Sequence, residues 1–212
     1  MSYRVKEIFL TLQGEGAQSG RASVFLRFSG CNLWDGRSES RGTAACRFCD
    51  TDFVSTDGVG GGEYSGPDAL ADAVASHWKS STGKAYVVIT GGEPLLQLDG
   101  PLIDALHARG FEIAVETNGT QQAPGGVDWL CVSPKAGTRW VQKAGDEIKL
   151  VWPQAFELAD LEALPFANRF LQPMADPDPV RNAANVASAV EACVANPSWR
   201  LSLQTHKWIG IA

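Results

Sequence analysis

The chain has 212 residues, 44% hydrophobic and 20% charged, a balance that suits one domain over 1–212 and does not require two. Its 18 Lys and Arg against 24 Asp and Glu give a net charge of −6, which argues against nucleic acid as the partner, since phosphate contacts need clustered cations. No run approaches the about 20 apolar residues of a membrane helix, and the charged start (Arg4, Lys6, Glu7) lacks a signal-peptide core, so the expected location is cytoplasmic, where thiols stay reduced.

Short runs rich in Val, Ile and Phe predict strands over 8–12, 24–28, 85–90, 112–116, 129–132, 147–150, 169–171 and 201–204. Between them, helices are expected over 67–79, 95–109, 154–163 and 179–195. In the first, Leu70, Ala73, Val74, His77 and Trp78 share a face and Pro67 suits the opening turn. In the second, Leu102, Ala105 and Leu106 make the stripe, Gly110 is the stop, and Pro101 delays the regular part. The Gly-rich stretch 57–66 reads as a flexible loop. Strands alternating with helices predict an α/β fold with a parallel sheet and right-handed crossovers, whose functional groups sit at the C-terminal strand ends.

Five cysteines, an odd number in a chain this long, do not suggest a disulfide framework. Cys31 follows the strand over 24–28, and Cys46 and Cys49 come after a fourteen-residue gap, giving C-x14-C-x2-C. Three thiolates can hold three irons of a cubane and leave the fourth iron open to a ligand. A structural zinc site is the alternative. It wants four donors, no further Cys or His lies close by, and Asp35, Asp50 or Asp52 would have to serve. Cys131 and Cys193 read as small core residues, and His77 and His107 as structural. A second unusual feature is Thr90-Gly91-Gly92-Glu93-Pro94 at the end of the strand AYVVIT, where glycines admit a ligand close to the backbone.

A three-cysteine loop after an early strand, an aromatic before the last cysteine (Phe48) and a GGEP strand end together resemble the radical S-adenosylmethionine superfamily. IFLTLQGEG, SVFLRFSGCNLWD, CRFCDTDF, VVITGGEPLLQ, FEIAVETNGT, VSPK and FLQPM, in that order over nearly the whole chain, are similar to the 7-carboxy-7-deazaguanine synthase (QueE) family. The usual first cysteine gap of that superfamily is three residues, so 32–45 holds an insertion.

The resemblance implies an abridged (β/α) partial barrel of the radical S-adenosylmethionine type, and a lyase of 7-deazapurine (queuosine) biosynthesis. It would convert 6-carboxy-5,6,7,8-tetrahydropterin to 7-carboxy-7-deazaguanine and ammonia. Its cofactors would be a [4Fe–4S] cluster, S-adenosylmethionine used catalytically, and Mg2+. A flavodoxin- or ferredoxin-type reductant and a homodimer are implied as well. Carried over, Cys31, Cys46 and Cys49 hold the cluster. Phe48, Cys49, Asp50, Gly92, Ser133, Pro134 and Lys135 would contact S-adenosylmethionine, as would Gln172, Pro173, Met174, Ala175 and Asp176. Leu12, Gln13, Gly14, Arg27 and Thr90 would bind substrate, with Arg27 as a bidentate clamp for its carboxylate. Thr51 would ligate Mg2+ through a hard hydroxyl oxygen. No catalytic side chain is assigned beyond the cofactors. Glu116, Thr117 and Asn118 face the same region, and Gln204 and His206 are placed to close the pocket. Without the resemblance, Arg27 reads as one half of an ion pair and Lys135 as a solvated turn residue. Two rivals stand: another radical S-adenosylmethionine enzyme, such as a glycyl-radical activase, and a zinc or iron–sulfur binding module without catalysis.

Overall fold

A computed structural model describes residues 2–211. Strands β1 (Tyr3–Leu12), β2 (Ala22–Phe28), β3 (Gly62–Tyr64), β4 (Ala85–Gly91), β5 (Phe111–Thr117), β6 (Trp129–Val132), β7 (Gly145–Trp152), β8 (Phe166–Pro173) and β9 (Arg200–Leu201) join one sheet. Their order is β3-β1-β2-β4-β5-β6-β7-β8-β9. Neighbours from β2 to β9 are parallel, as expected. The expectation of a wholly parallel sheet fails at one edge, where β1 is antiparallel to both β2 and β3. Only residues 13–21 separate β1 from β2, too few for a crossover to a parallel partner.

Successive strand residues point to opposite faces. Val24, Leu26, Val87, Ile89, Ile113, Val115, Ile148 and Leu150 are fully buried in the main core. Helices α1 (Pro67–His77), α2 (Gly100–Ala108), α3 (Leu158–Glu162) and α4 (Pro179–Ala195) cover that face. The opposite face carries a small apolar cluster of Tyr86, Val88 and Ala114, flanked by Phe25 and Trp129. Polar residues follow it toward the C-terminal strand ends. Gln13 Nε2 reaches Glu116 Oε1 at 3.1 Å, and Ala17 N reaches Glu147 Oε2 at 2.9 Å. These bonds cross the inner face, so the sheet curls into a partial barrel.

Several boundaries depart from the periodicity. The span expected as helix over 95–109 is a 3-10 turn at Pro94–Leu96 and then α2, whose regular part starts beside Pro101 as expected, with Asp99 capping it by accepting from Leu102 N at 3.1 Å. The helix expected over 154–163 shortens to α3, since the Gln154 side chain bonds Val151 O and Ala136 N instead of lying on a helix face. The strand expected over 201–204 stops at Leu201, where Ser202 and Gln204 turn their side chains to Gln172 and Glu15. The short helix α5 (Thr205–Ile209) follows. The loop over 57–66 contributes β3, which pairs with Tyr3–Val5. Among the described residues no helix is long and apolar enough to cross a membrane.

Candidate active site

A cavity of about 340 Å³ opens at the C-terminal strand ends. It borders Cys31, Cys46 and Cys49 on one side and Leu12, Gln13, Gly14, Arg27 and Thr90 on the other. Phe48, Asp50, Thr51, Gly92, Ser133, Lys135, Gln172, Pro173 and Ala175 line it too, as do Glu116, Asn118, Gln204 and His206. Pro134, Met174 and Asp176 are not on its wall. Pro134 O accepts from Gln154, Met174 N donates to Trp152 O, and Asp176 accepts from Asp178 N and pairs with Arg181 before α4.

Packing explains the two glycines at the end of β4. A Cβ on Gly92 would stand 2.2 Å from Gly30 O and 2.6 Å from Cys31 Cβ, and one on Gly91, at φ +144°, would stand 2.4 Å from Phe28 O. The strand end therefore lies directly on the cysteine loop, and Glu93 N donates to Gly30 O at 3.0 Å. Glu93 itself is fully buried. It accepts from Thr117 Oγ1 (2.7 Å), Asn118 N (2.8 Å) and Leu95 N (3.0 Å), tying the ends of β4 and β5 together. Asn118 Nδ2 continues the chain of contacts to Asn32 Oδ1, beside Cys31. Burial pushes the Glu93 carboxyl up, while its donors favour the charged form. Glu93→Ala is expected to destabilise the fold by about 1–3 kcal/mol for each buried donor left unsatisfied, read as a lower midpoint in urea denaturation.

The Cys46 and Cys49 thiols hydrogen-bond each other, which pulls Cys49 down to about 6 and pushes Cys46 up. Burial raises Cys31. Lys135, fixed by Ser133 O (2.6 Å) and Ser133 Oγ (2.7 Å), is a half-buried cation whose charge favours the thiolates of Cys46 and Cys49. Burial lowers its own pKa. Phe48 lies 5.9 Å from its ammonium. The insertion over 32–45 is folded back on the site: Trp34 packs edge-on against Phe53 (5.7 Å) and Arg41 stacks on Trp34 (4.0 Å). Arg41 Nη1 also donates to Cys49 O at 2.9 Å, so the insertion braces the last cysteine.

Arg27 borders the cavity with its Nε donating to Glu7 Oε1 at 2.7 Å, so the ion pair and the cavity position coexist. Of the charges at the base, the sequence reading places Glu116 near the site and misses Lys149 and Glu15. Lys149 Nζ meets Glu15 Oε2 at 2.7 Å and Glu116 Oε1 at 3.1 Å. Burial opposes the Glu15 charge, but Lys149 and hydrogen bonds from Gln204 and Gln172 outweigh it, holding Glu15 at about 2. Lys149 is raised well above its usual range against the cost of burial. The C-terminal segment closes this side. Gln204 Nε2 donates to Glu15 Oε1 (2.9 Å) and Asp50 Oδ2 (3.2 Å), and Lys207 pairs with Asp50. Gly14 fits beneath His206, where a Cβ would stand 2.2 Å from Nδ1. Alternation within β5 and β7, with Glu116 and Lys149 on one face, was the available signal for the base.

No family model matches the chain. It is 60% identical over 212 residues, all of both chains, to the 7-carboxy-7-deazaguanine synthase of Bradyrhizobium diazoefficiens. The enzyme of the same name from Bacteroides thetaiotaomicron is 38% identical over the full length of both. Among solved structures, the crystal structure of QueE from Escherichia coli matches with a TM-score of 0.67 and 27% identity, covering 96% of this chain and 94% of that one. The chain belongs to the 7-carboxy-7-deazaguanine synthase family. The radical S-adenosylmethionine partial barrel comes with that membership, and with it a [4Fe–4S] cluster and S-adenosylmethionine. The residues present fit the cluster: three thiols in one loop, a half-buried cation favouring two of them as thiolates, and a cavity beside them for a ligand on the fourth iron.

Proposed function

We propose that the chain turns 6-carboxy-5,6,7,8-tetrahydropterin into 7-carboxy-7-deazaguanine with loss of ammonia, at the cavity described. The observation that carries this is the single cavity shared by the three cysteines and by Leu12, Gln13, Gly14, Arg27 and Thr90. Cys31, Cys46 and Cys49 would hold the cluster, and the Gly92 backbone, with Phe48, Asp50, Ser133, Lys135, Gln172, Pro173 and Ala175, would receive S-adenosylmethionine. Bound there, the two would supply one-electron chemistry for hydrogen-atom transfer.

The protein's part is orientation and exclusion of water. Arg27, steadied by Glu7, presents its guanidinium to the substrate carboxylate. Gln13 and the backbone around Gly14 offer donors and acceptors to the pterin edge. Gln204 and His206 cover the opening from the C-terminal side. Thr51, adjoining Cys49 and Asp50 on the cavity wall, would give Mg2+ a hydroxyl ligand, with substrate and water completing the shell. A flavodoxin- or ferredoxin-type protein as reductant, a homodimer and a cytoplasmic setting belong to the same reading, as does a single domain spanning 1–212 with an insertion at 32–45.

Anaerobic reconstitution with iron and sulfide, reduction, and addition of S-adenosylmethionine, Mg2+ and the carboxytetrahydropterin tests it by mass spectrometry. Deazaguanine in excess of S-adenosylmethionine consumed is the expected result. Cleavage of S-adenosylmethionine without that product would discard the substrate. Thr51→Ala is expected to lower activity roughly tenfold and to shift its Mg2+ dependence to higher concentration. A metal titration indistinguishable from the parent would remove Thr51 from the metal site.

A further inference from the structure

Behind the cavity floor lies a much smaller chamber of about 10 Å³. Such a volume admits about one water molecule. Tyr86, Cys131 and Glu147 form part of its wall, and it shares Gln13, Glu15 and Glu116 with the large cavity. From the far side Arg21 stacks on the Tyr86 ring at 3.7 Å and holds Glu112 through two bonds of 2.8 Å, which plugs the barrel there.

Two observations point to a ligand in the chamber. Tyr86 is fully buried, and its hydroxyl has no hydrogen-bond partner among the described residues. An unsatisfied buried hydroxyl is costly, and a polar chamber of one-water size beside it supplies the remedy. Glu147 is the second. It is 2% exposed, lines the chamber and not the large cavity, and accepts from Ala17 N (2.9 Å) and from Cys131 Sγ (3.5 Å). Gly16 is pressed onto it, since a Cβ there would stand 2.0 Å from Oε1.

The charges around Glu147 come from every wall. Lys149 lies on its own strand, Glu116 on β5, Cys131 on β6, and Glu15 beyond the end of β1. Three carboxyls thus surround one ammonium. Burial pushes the Glu147 carboxyl up and Glu116 adds to this, against the pull of Lys149. Glu147 is the carboxyl without an ion-pair contact to Lys149, so it is the one placed to keep a proton.

We propose that one water bound in this chamber hydrogen-bonds Tyr86 Oη and joins Glu147 to Glu116, forming a relay that exchanges one proton with the substrate cavity from behind. The proton leaves the Glu147 carboxyl, the water receives it and releases another, and Glu116 takes that one at the cavity wall. No electron moves, and the reverse sequence recharges Glu147. The relay rests on the proposed reaction for its use. When the carbon–nitrogen bond breaks, its electron pair stays on nitrogen, and the departing amine needs one proton to leave as ammonia. Tyr86 is a positioning residue here and Glu147 acts through Glu116.

The test uses the full chain. A high-resolution crystal structure is expected to show one ordered water on Tyr86 Oη, lost in Tyr86→Phe. Infrared difference spectra across a pH titration should show a protonated carboxyl band that Glu147→Gln removes and Tyr86→Phe displaces. In turnover both variants should lower kcat roughly tenfold, with a changed pH profile of kcat and KM within about twofold of the parent. A chamber without water, or variants with the parental kcat–pH profile, would overturn the relay. If the parent forms no deazaguanine, the proposed reaction fails, while the water and the carboxyl band still decide the site. Should Glu147→Gln not fold, Tyr86→Phe removes only a hydroxyl and decides it alone.

Discussion

Replacing Cys31, Cys46 or Cys49 singly by alanine is expected to abolish cluster binding and to lower activity by at least about a thousandfold, since the cofactors carry the hard chemistry and no side chain substitutes for them. The reason lies in the count. Three thiolates leave one open iron; two leave an incomplete cluster. Each cysteine is also placed by a separate device. Cys31 is packed under Gly92, Cys46 N donates to Leu33 O, and the Cys49 carbonyl is held by Arg41. Iron and sulfide content with the visible absorption of the reconstituted protein checks the outcome. Far-ultraviolet circular dichroism should be unchanged, because the loop lies outside the sheet. Full iron loading in any one of the three variants would remove that cysteine from the ligand set.

The second large effect belongs to Lys149. Lys149→Met is expected to destabilise the fold by about 3–5 kcal/mol, the cost of leaving two half-buried carboxylates without their buried cation. The side chain is 5% exposed and its two partners are Glu15 and Glu116. The pH dependence follows from the directions. Glu15 is held at about 2 in the fold, against about 4.3 for a free glutamate. Its contribution is complete above the free value and is lost as pH falls through that window. Lys149 is raised, so its contribution is complete below the ordinary lysine range and is lost as pH rises through the folded value. The parent should therefore lose stability on acidification through the window between the free and folded Glu15 values. Lys149→Met should lack that loss, because without the cation an uncharged Glu15 is easier to bury. Urea midpoints measured at several pH values read both effects. A variant as stable as the parent near neutral pH would refute the assignment.

Most strands were legible because their residues are buried on both faces. Ala85–Gly91 and Phe111–Thr117 pack helices on one side and the barrel interior on the other, so their runs of Val and Ile stand out. Helix ends were less legible. The late start of α2 was legible from Pro101, which sits in its first turn, whereas the Asp99 cap that sets the exact start shows only in the fold. β3 has only three residues and contains a glycine, so it forms through its pairing with β1 and not through its own preference. The residues over 202–204 have the pattern of a strand, but they are drawn off by side-chain bonds to Gln172 and Glu15, residues remote in sequence.

Local spacing and residue chemistry are enough to reveal the cysteine triplet, the glycine strand end and the chain order of the strands that carry them. The family membership is legible in the same way, since the motifs run in order along the chain. What the charged strand residues do depends on contacts that no local pattern announces. Glu116, Glu147 and Lys149 alternate with apolar neighbours, a pattern shared by any strand with one wet face. The curl of the sheet turns that face inward, where low dielectric makes each pairing, and each missing partner, count for far more than it would in water.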